Sequence, residues 1–481
     1  MRPNILLITT DEHRPDCIGS GGFGSLRTPA LDRLASEGTT FGNAYSNCPI
    51  CMPTRFTWLH GLYASQANQR LLQNAHDWPT DLPTFTQALQ RAGYRTGLVG
   101  KLHSLAGLYH RDIRSHRYET MRRGFDDLVE TSGGTLSLYY DCDWTRYLDG
   151  KGLLEKYREF ARWWMSERPK DEERYEPFFL EPEDTLDGFT AREAVGMLET
   201  YATRGGTSKS DGPAQPFFLH VSFAGPHFPI VPAERYYRRY SVDDVPEPAG
   251  LDDPGKRARW RRNRALYAAF VEQTDAQIAQ VLDALEANGL SEETLVIFTC
   301  DHGELIGDHG LNHKGKPYDS AVRTPAIVRL PGSVPVDVRC DAILEAVDLP
   351  ATILDAAGLG DDPDRHLPQT PSRSWWPCAL GQRQEHRTWA FSEAGVLPGG
   401  WRMAADRRYK YVFRPDRDDL LFNLESDPTE LDNLALDPAY AAVREEFQRR
   451  VVHSMMSCVP PNRDGNRCEA IHGGRPRNAI L

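Results

Sequence analysis

Near its start the chain reads Asn4-Ile5-Leu6-Leu7-Ile8-Thr9-Thr10-Asp11-Glu12, a continuous apolar run of strand length that stops on two carboxylates. A strand with one wet face alternates apolar and polar side chains. An unbroken run instead predicts burial on both faces, as in a parallel sheet covered by helices on either side. Residues 94–99, which lead into Gly100-Lys101, read as another strand, and short apolar strands return at residues 217–222 and at residues 295–299, which lead into Cys300-Asp301-His302. Helices are expected between these runs. Thr28 as N-cap and Pro29 in the first turn open one, with Leu31 and Leu34 inward and Gly38 as its stop. Residues 84–92 before Gly93 read as another, and Leu266, Phe270, Ile278, Val281, Leu282 and Leu285 recur at helical spacing ahead of Gly289. This alternation, with polar residues gathered just past strand ends, predicts an α/β fold. Its core is a large doubly wound, mostly parallel sheet with helices on both faces, whose ligands bind beyond the carboxyl ends of the strands.

Working outward, 481 residues exceed one ordinary core, so a large and a smaller domain are expected. The α/β pattern fills residues 1–362. The stretch 105–215, rich in Arg, Tyr and Trp and ending in a hydrophilic loop at 204–211, breaks the rhythm and reads as an insertion around the pocket. Residues 363–481 read as a smaller C-terminal α+β domain with an antiparallel sheet, from strand candidates at 388–392, 401–405 and 409–413 and a helix at 440–453. A hydrophobic share of 40% and a charged share of 26% exclude a mainly disordered chain. A net charge of −12 argues against nucleic acid and anionic membranes as partners, though not against an anionic ligand in a locally basic pocket. The apolar start is too short for an export signal, and no later segment approaches the length of a membrane span. Nine cysteines, an odd and scattered set, do not read as a disulfide framework, so a cytoplasmic setting is expected.

The chemistry concentrates in Cys48-Pro49-Ile50-Cys51-Met52-Pro53-Thr54-Arg55, followed by Leu59-His60-Gly61. Taken alone, Cys48 and Cys51 read as a redox pair, as half of a zinc site, or as two small buried hydrophobes. Pro53 and Arg55 follow Cys51 where a helix is expected to start, which sets Cys51 at a helix N-terminus whose free N–H groups favour an anion.

Cys51-x-Pro53-x-Arg55 resembles the signature of the sulfatases, with His60-Gly61 where that family usually has Thr-Gly. The resemblance extends from residue 4 to about residue 435. It implies an alkaline-phosphatase-like fold and a Cys51 that a maturation enzyme oxidises to formylglycine. In that family the aldehyde hydrates to a geminal diol and one hydroxyl attacks sulfur. The other then loses its proton and expels sulfate, so no water has to attack the sulfated residue.

Asp11-Glu12 and Asp301-His302-Gly303-Glu304 match the family's two metal-binding segments, although either doublet alone would read as a solvated turn or cap. The resemblance implies one divalent metal on Asp11, Glu12, Asp301, His302 and the modified Cys51, with Glu12 standing where many members have Asp or Gln. Oxygen-rich ligation suits Ca²⁺ first, and the His302 nitrogen keeps Mn²⁺ and Mg²⁺ as alternatives. Gly100-Lys101-Leu102-His103, Pro226-His227-Phe228-Pro229 and Lys314-Gly315-Lys316-Pro317-Tyr318 resemble three further family segments. Singly, each Lys or His reads as an ordinary polar residue. Together they supply cations for sulfate oxygens and an acid for the leaving alkoxide. By resemblance, Arg55 and Lys101 support the diol and His103 helps remove its second proton. His227 and Lys314 bind the sulfate, with His227 as general acid; Lys316 has the wrong offset to Tyr318. Asn74 is expected on the pocket wall, and Trp144, Trp163 and Trp164 in packing. Arg408-Tyr409-Lys410-Tyr411 and Leu421-Phe422-Asn423-Leu424 resemble late strands of the family and carry fold rather than chemistry.

The expected activity is hydrolysis of a sulfate monoester, of a small molecule or a sugar, to alcohol and inorganic sulfate. A phosphate or phosphonate monoester hydrolase is the alternative on the same scaffold. A binding protein with unmodified Cys51 and a redox protein using Cys48 and Cys51 are the readings from other classes. By resemblance, phosphonate-ester members carry hydroxyl side chains where this chain has Lys101 and His103, which favours sulfate. Self-association is left open.

Overall fold

The computed structural model describes residues 2–68, 71–72, 76–106, 112–164, 177–204, 215–360, 365–367 and 370–457. Asn74, and the hydrophilic loop beyond residue 204, lie outside the described residues. Eight strands form the main sheet: β1 (Asn4–Thr10), β2 (Thr39–Tyr45), β3 (Arg95–Lys101), β4 (Asp127–Thr131), β5 (Phe217–Ser222), β6 (Thr294–Cys300), β7 (Arg323–Arg329) and β8 (Val338–Glu345). Their order is β4-β3-β5-β1-β6-β7-β2-β8. Strand β7 runs antiparallel to both neighbours and all other pairings are parallel.

The opening apolar run sits at the centre of this sheet for the reason its composition suggests. Ile5 and Leu7 enter the core on one face, Leu6 and Ile8 the core on the other. The first face is covered by α2 (Cys51–His60) and the helices Phe85–Arg91 and Leu349–Ala356. The second is covered by α1 (Pro29–Ser36), Leu186–Arg204 and the long helix Pro254–Ala287. Register brings the strand ends together: Thr9 and Gly100 both lie opposite Ser222, and Thr10 lies opposite Cys300. Residues leaving β1, β3, β5 and β6 therefore emerge at one edge.

Two local expectations change. Thr28 stands at the N-cap of α1 but does not cap it, because its hydroxyl accepts from Gly19 N–H at 2.6 Å. The free N–H groups of Ala30 and Leu31 donate instead to the buried Asp275 carboxylate, at 3.0 and 2.9 Å, from the long helix. Nor is the stretch 105–215 wholly an insertion. Strand β4 extends the main sheet at its edge, and Leu186–Arg204 contributes Ala191, Ala194 and Leu198 to the second face. Asp127 and Glu130 gave β4 the mixed polarity of an edge strand, which hid it. The material between them builds its own cluster around Trp144, Tyr157 and Phe178 beside the strand ends.

A second, antiparallel sheet holds β9 (Ala390–Ala394), β10 (Trp401–Ala405), β11 (Tyr409–Phe413) and β12 (Leu420–Asn423). Alternation decides its faces. Ala404, Tyr411 and Leu421 pack under the terminal helix Ala441–Ser457, while Met403, Val412 and Phe422 join the apolar cluster of the main sheet. No helix among the described residues is long and apolar enough to cross a membrane.

Candidate active site

Four strand ends and one helix start meet at the edge described above. Asp11 and Glu12 follow β1, Lys101 closes β3 with His103 just beyond it, His227 follows β5, and Asp301 and His302 follow β6. Cys51 is the first residue of α2, whose N-terminus has no side-chain cap, and all ten residues of that helix are buried. Ligand atoms of Asp11, Cys51, Asp301 and His302 lie within 4.8 Å of one another, all buried. The Cys51 sulfur stands 3.2 Å from His302 Nε2 and 3.4 Å from Asp11 Oδ1. His302 Nδ1 lies 3.0 Å from the Gly303 carbonyl oxygen, the contact that directs Nε2 inward. This set of two carboxylates, one imidazole and the group at residue 51 fits a divalent cation.

Arg55, one helical turn after Cys51, spends its donors on the scaffold of the site. Nε donates to Asp301 at 2.9 Å and Nη2 to Asp11 at 3.1 Å, while Nη1 donates to the Lys101 carbonyl at 2.6 Å and Ser222 Oγ at 2.7 Å. Lys101 Nζ reaches Asp11 Oδ2 at 2.6 Å. Glu12 stands apart from the four-residue group. Its carboxylate lies with Glu304 and His313, takes Phe228 N–H at 3.0 Å and pairs with Lys314. Lys314 Nζ is also 2.8 Å from His227 Nε2, and His227 Nδ1 is 2.5 Å from the Phe228 carbonyl oxygen. Lys316, two residues further along the loop, is exposed. Glu12 and His103 both adopt left-handed backbone, with φ of 61° and 62°. Such a conformation costs a non-glycine residue about 1–2 kcal/mol and persists where the surroundings impose it.

The fields at these groups follow from their neighbours. Burial would raise the Cys51 thiol, but Lys101, Lys314 and His302 outweigh it and hold it well below the usual range. Burial works against charge on His302, yet Asp301 and Cys51 push its pKa up to about 9; a bound cation would take the place of that proton. Burial, relieved in part by the hydrogen bond to Cys51, lowers His103 to about 4, and its Nδ1 is buried without a partner among the described residues. His103 is thus neutral near pH 7. Burial and the adjacent Asp11 raise Asp301 to about 6.

A cavity of about 300 Å³ opens in front of this group, lined by Cys51, Lys101, His103, His227 and Lys314 and on the far side by residues 132–136 and Tyr140. Ser222, Glu304 and Asp187 were not found from the sequence. Asp187 accepts from the N–H groups of Ala224 and Gly225 at 2.9 and 3.1 Å, and so shapes the turn before His227. It lies on a helix within the irregular stretch 105–215, and nothing in its local sequence marks it. Glu304 closes the segment Asp301-His302-Gly303-Glu304, and only the fold brings it to Glu12. Trp144 is core, buried against Tyr157, and Trp164 packs on Phe228 at 4.1 Å.

The family model described as Sulfatase matches residues 3–359, and one described as N-sulphoglucosamine sulphohydrolase, C-terminal, matches residues 307–456. The chain is 26% identical over 502 residues to an arylsulfatase of Clostridium perfringens, covering 97% of each. It is 27% identical over 518 residues to a multifunctional alkaline phosphatase superfamily protein of Trinickia caryophylli, covering 95% of this chain and 96% of that one. Among solved structures, the phosphonate monoester hydrolase of Agrobacterium radiobacter superposes with a TM-score of 0.77 at 24% identity, covering 95% of this chain and 96% of that one. At that identity the likeness speaks for the fold.

Proposed function

The chain belongs to the sulfatase family, and from that premise we propose that it hydrolyses a sulfate monoester to an alcohol and inorganic sulfate in the cavity before Cys51. The observation that carries this reading is the meeting of Cys51, the carboxylates of Asp11 and Asp301, and the cations Lys101 and Lys314 at one edge of the sheet. Formylglycine made from Cys51 by a maturation enzyme would supply the nucleophilic oxygen. A divalent metal on Asp11, Asp301, His302 and that oxygen, Ca²⁺ first and Mn²⁺ or Mg²⁺ otherwise, would supply positive charge beside it.

The remaining steps belong to this chain's own side chains. Arg55 acts through Asp11 and Asp301, orienting both carboxylates rather than meeting the ester. Lys101 neutralises Asp11 from the cavity side and adds attraction for an anionic ester. His103, neutral and hydrogen-bonded to residue 51, is suited to accept a proton there. Glu12 steadies Lys314. Lys314 and His227, whose facing nitrogens are 2.8 Å apart, bind the sulfate and hold a proton between them for the leaving oxygen, with His227 as the acid.

The test is made on protein matured in a host that has the maturation enzyme. Peptide mass and an aldehyde-reactive tag are expected at residue 51, and Cys51→Ala is expected to abolish nitrophenol release from nitrophenyl sulfate. Full turnover with an intact Cys51 thiol would overturn the mechanism. The likeness to a multifunctional alkaline phosphatase superfamily protein supports a second reading, a phosphorus monoester as substrate, within the same cavity.

A further inference from the structure

Lys314 sits in the irregular segment between β6 and β7, with no strand or helix of its own to fix it. A lysine carries about 2 kcal/mol of side-chain entropy, so its ammonium is well placed only if its backbone is. That backbone is gripped from the four-stranded sheet. On β10, Trp401 Nε1 donates to the Gly315 carbonyl at 3.0 Å, while Gly315 N–H donates to the Pro49 carbonyl at 2.9 Å, next to the turn that leads to Cys51. On β11, the fully buried Lys410 gives Nζ to the Pro317 carbonyl at 3.2 Å, to Glu430 Oε1 at 2.5 Å and to the Asp319 carboxylate. Glu430, held in left-handed backbone with φ of 59°, accepts the Asp319 N–H at 2.6 Å. An ammonium has three donors, and all three of Lys410's are committed to this one segment and the residue that clamps it.

We propose that the four-stranded sheet serves the active site directly, with Trp401, Lys410 and Glu430 as positioning residues that fix residues 315–319 and so hold the Lys314 ammonium between Glu12 and His227. The inference rests on the reading of Lys314 as a substrate-binding group. It extends a role to Lys410, whose segment otherwise reads only as a late strand of the fold.

Trp401→Phe is the sharper variant, because it removes the indole N–H while keeping a smaller aromatic ring in place and the buried ion pairs intact. On matured, metal-loaded protein it is expected to raise amide hydrogen exchange across 314–319 several-fold. It should also raise the inhibition constant for inorganic sulfate and lower kcat/KM for nitrophenyl sulfate, each by five- to tenfold, with metal content unchanged. Lys410→Met combined with Glu430→Gln should do the same to a larger extent. Lys314→Ala, run alongside, separates the two readings. If it leaves sulfate inhibition and kcat/KM unchanged, the role given to Lys314 fails, whereas the grip itself is judged on the exchange data. Wild-type exchange across 314–319 in Trp401→Phe, or a lower melting temperature with wild-type sulfate inhibition, overturns the proposal.

Discussion

Cys48 and Cys51 are three residues apart and equally buried, yet they face opposite fields. Burial and the nearby Glu393 raise the Cys48 thiol, whereas Lys101, Lys314 and His302 overcome burial at Cys51 and lower it. Cys48→Ala is therefore expected to keep kcat/KM within about threefold and to cost roughly 1 kcal/mol of stability by lost packing, measured by urea denaturation. A hundredfold loss of activity in that variant would return the pair to a redox or shared catalytic role. Asp301 bears on the metal. It faces Arg55 on one side and the Cys51–His302 group on the other. Asp301→Ala should lose bound metal, read by elemental analysis, and at least about a thousandfold in kcat/KM, an effect of roughly 4 kcal/mol. Stoichiometric metal in that variant would remove Asp301 from the ligand set. At this scale the sequence was informative where a residue type and an offset carry chemistry together, as in Cys51-x-Pro53-x-Arg55. It was silent where a residue acts through tertiary contact alone, as Ser222 and Asp187 do, and it did not separate the carboxylate of Glu12 from that of Asp11 one residue away.

Elements were legible where one force dominates. The unbroken apolar run of β1 has no stable place but a strand covered on both faces, and the helical spacing from Leu266 to Leu285 marks the buried stripe of Pro254–Ala287. Strand β4 was not legible, because an edge strand needs only partial burial and its charges conceal it. The start of α1 was legible in position but not in cause, since its free N–H groups are satisfied by Asp275 some 245 residues away in sequence. The long helix is tied to the strand ends in a similar way. Asp308 receives Arg14 from beyond β1 at 2.7 Å and Arg264 from Pro254–Ala287 at 2.5 Å. Burial raises its carboxyl, but Arg14 and Arg264 prevail and lower it to about 2, against 3.8 when unperturbed. A depressed carboxyl stabilises the fold above the unfolded value and loses that contribution as pH falls through the folded one. Here that window is pH 4 to 2 and the contribution about 2 kcal/mol. Asp308→Asn should thus be markedly less stable than wild type at pH 5 to 6, with the gap in melting temperature narrowing toward pH 2. A gap that stays constant with pH would show that this ion pair does not govern the acid limb.

For the whole molecule, a net charge of −12 coexists with a cavity ringed by Lys101, Lys314 and His227, so the global field says little about the ligand. The family and its fold were readable because their motifs fall at strand ends that one sheet gathers. Whether the substrate's reacting atom is sulfur or phosphorus was less so, because a sulfate ester and a phosphonate monoester each carry one negative charge, and a phosphate monoester approaches two near neutral pH. All three would be drawn to the same cations. In the proposed mechanism what would distinguish them is the pair Lys101 and His103, a cation held on Asp11 at 2.6 Å and a neutral imidazole hydrogen-bonded to residue 51. That pair suits release of sulfate by proton removal at residue 51. The central claim is tested most directly by kcat/KM for matched nitrophenyl sulfate, phosphate and phosphonate monoesters on fully matured, metal-loaded protein. The account predicts that the sulfate ester is preferred by at least about tenfold, or roughly 1.4 kcal/mol of transition-state preference. A tenfold preference for either phosphorus ester would contradict it.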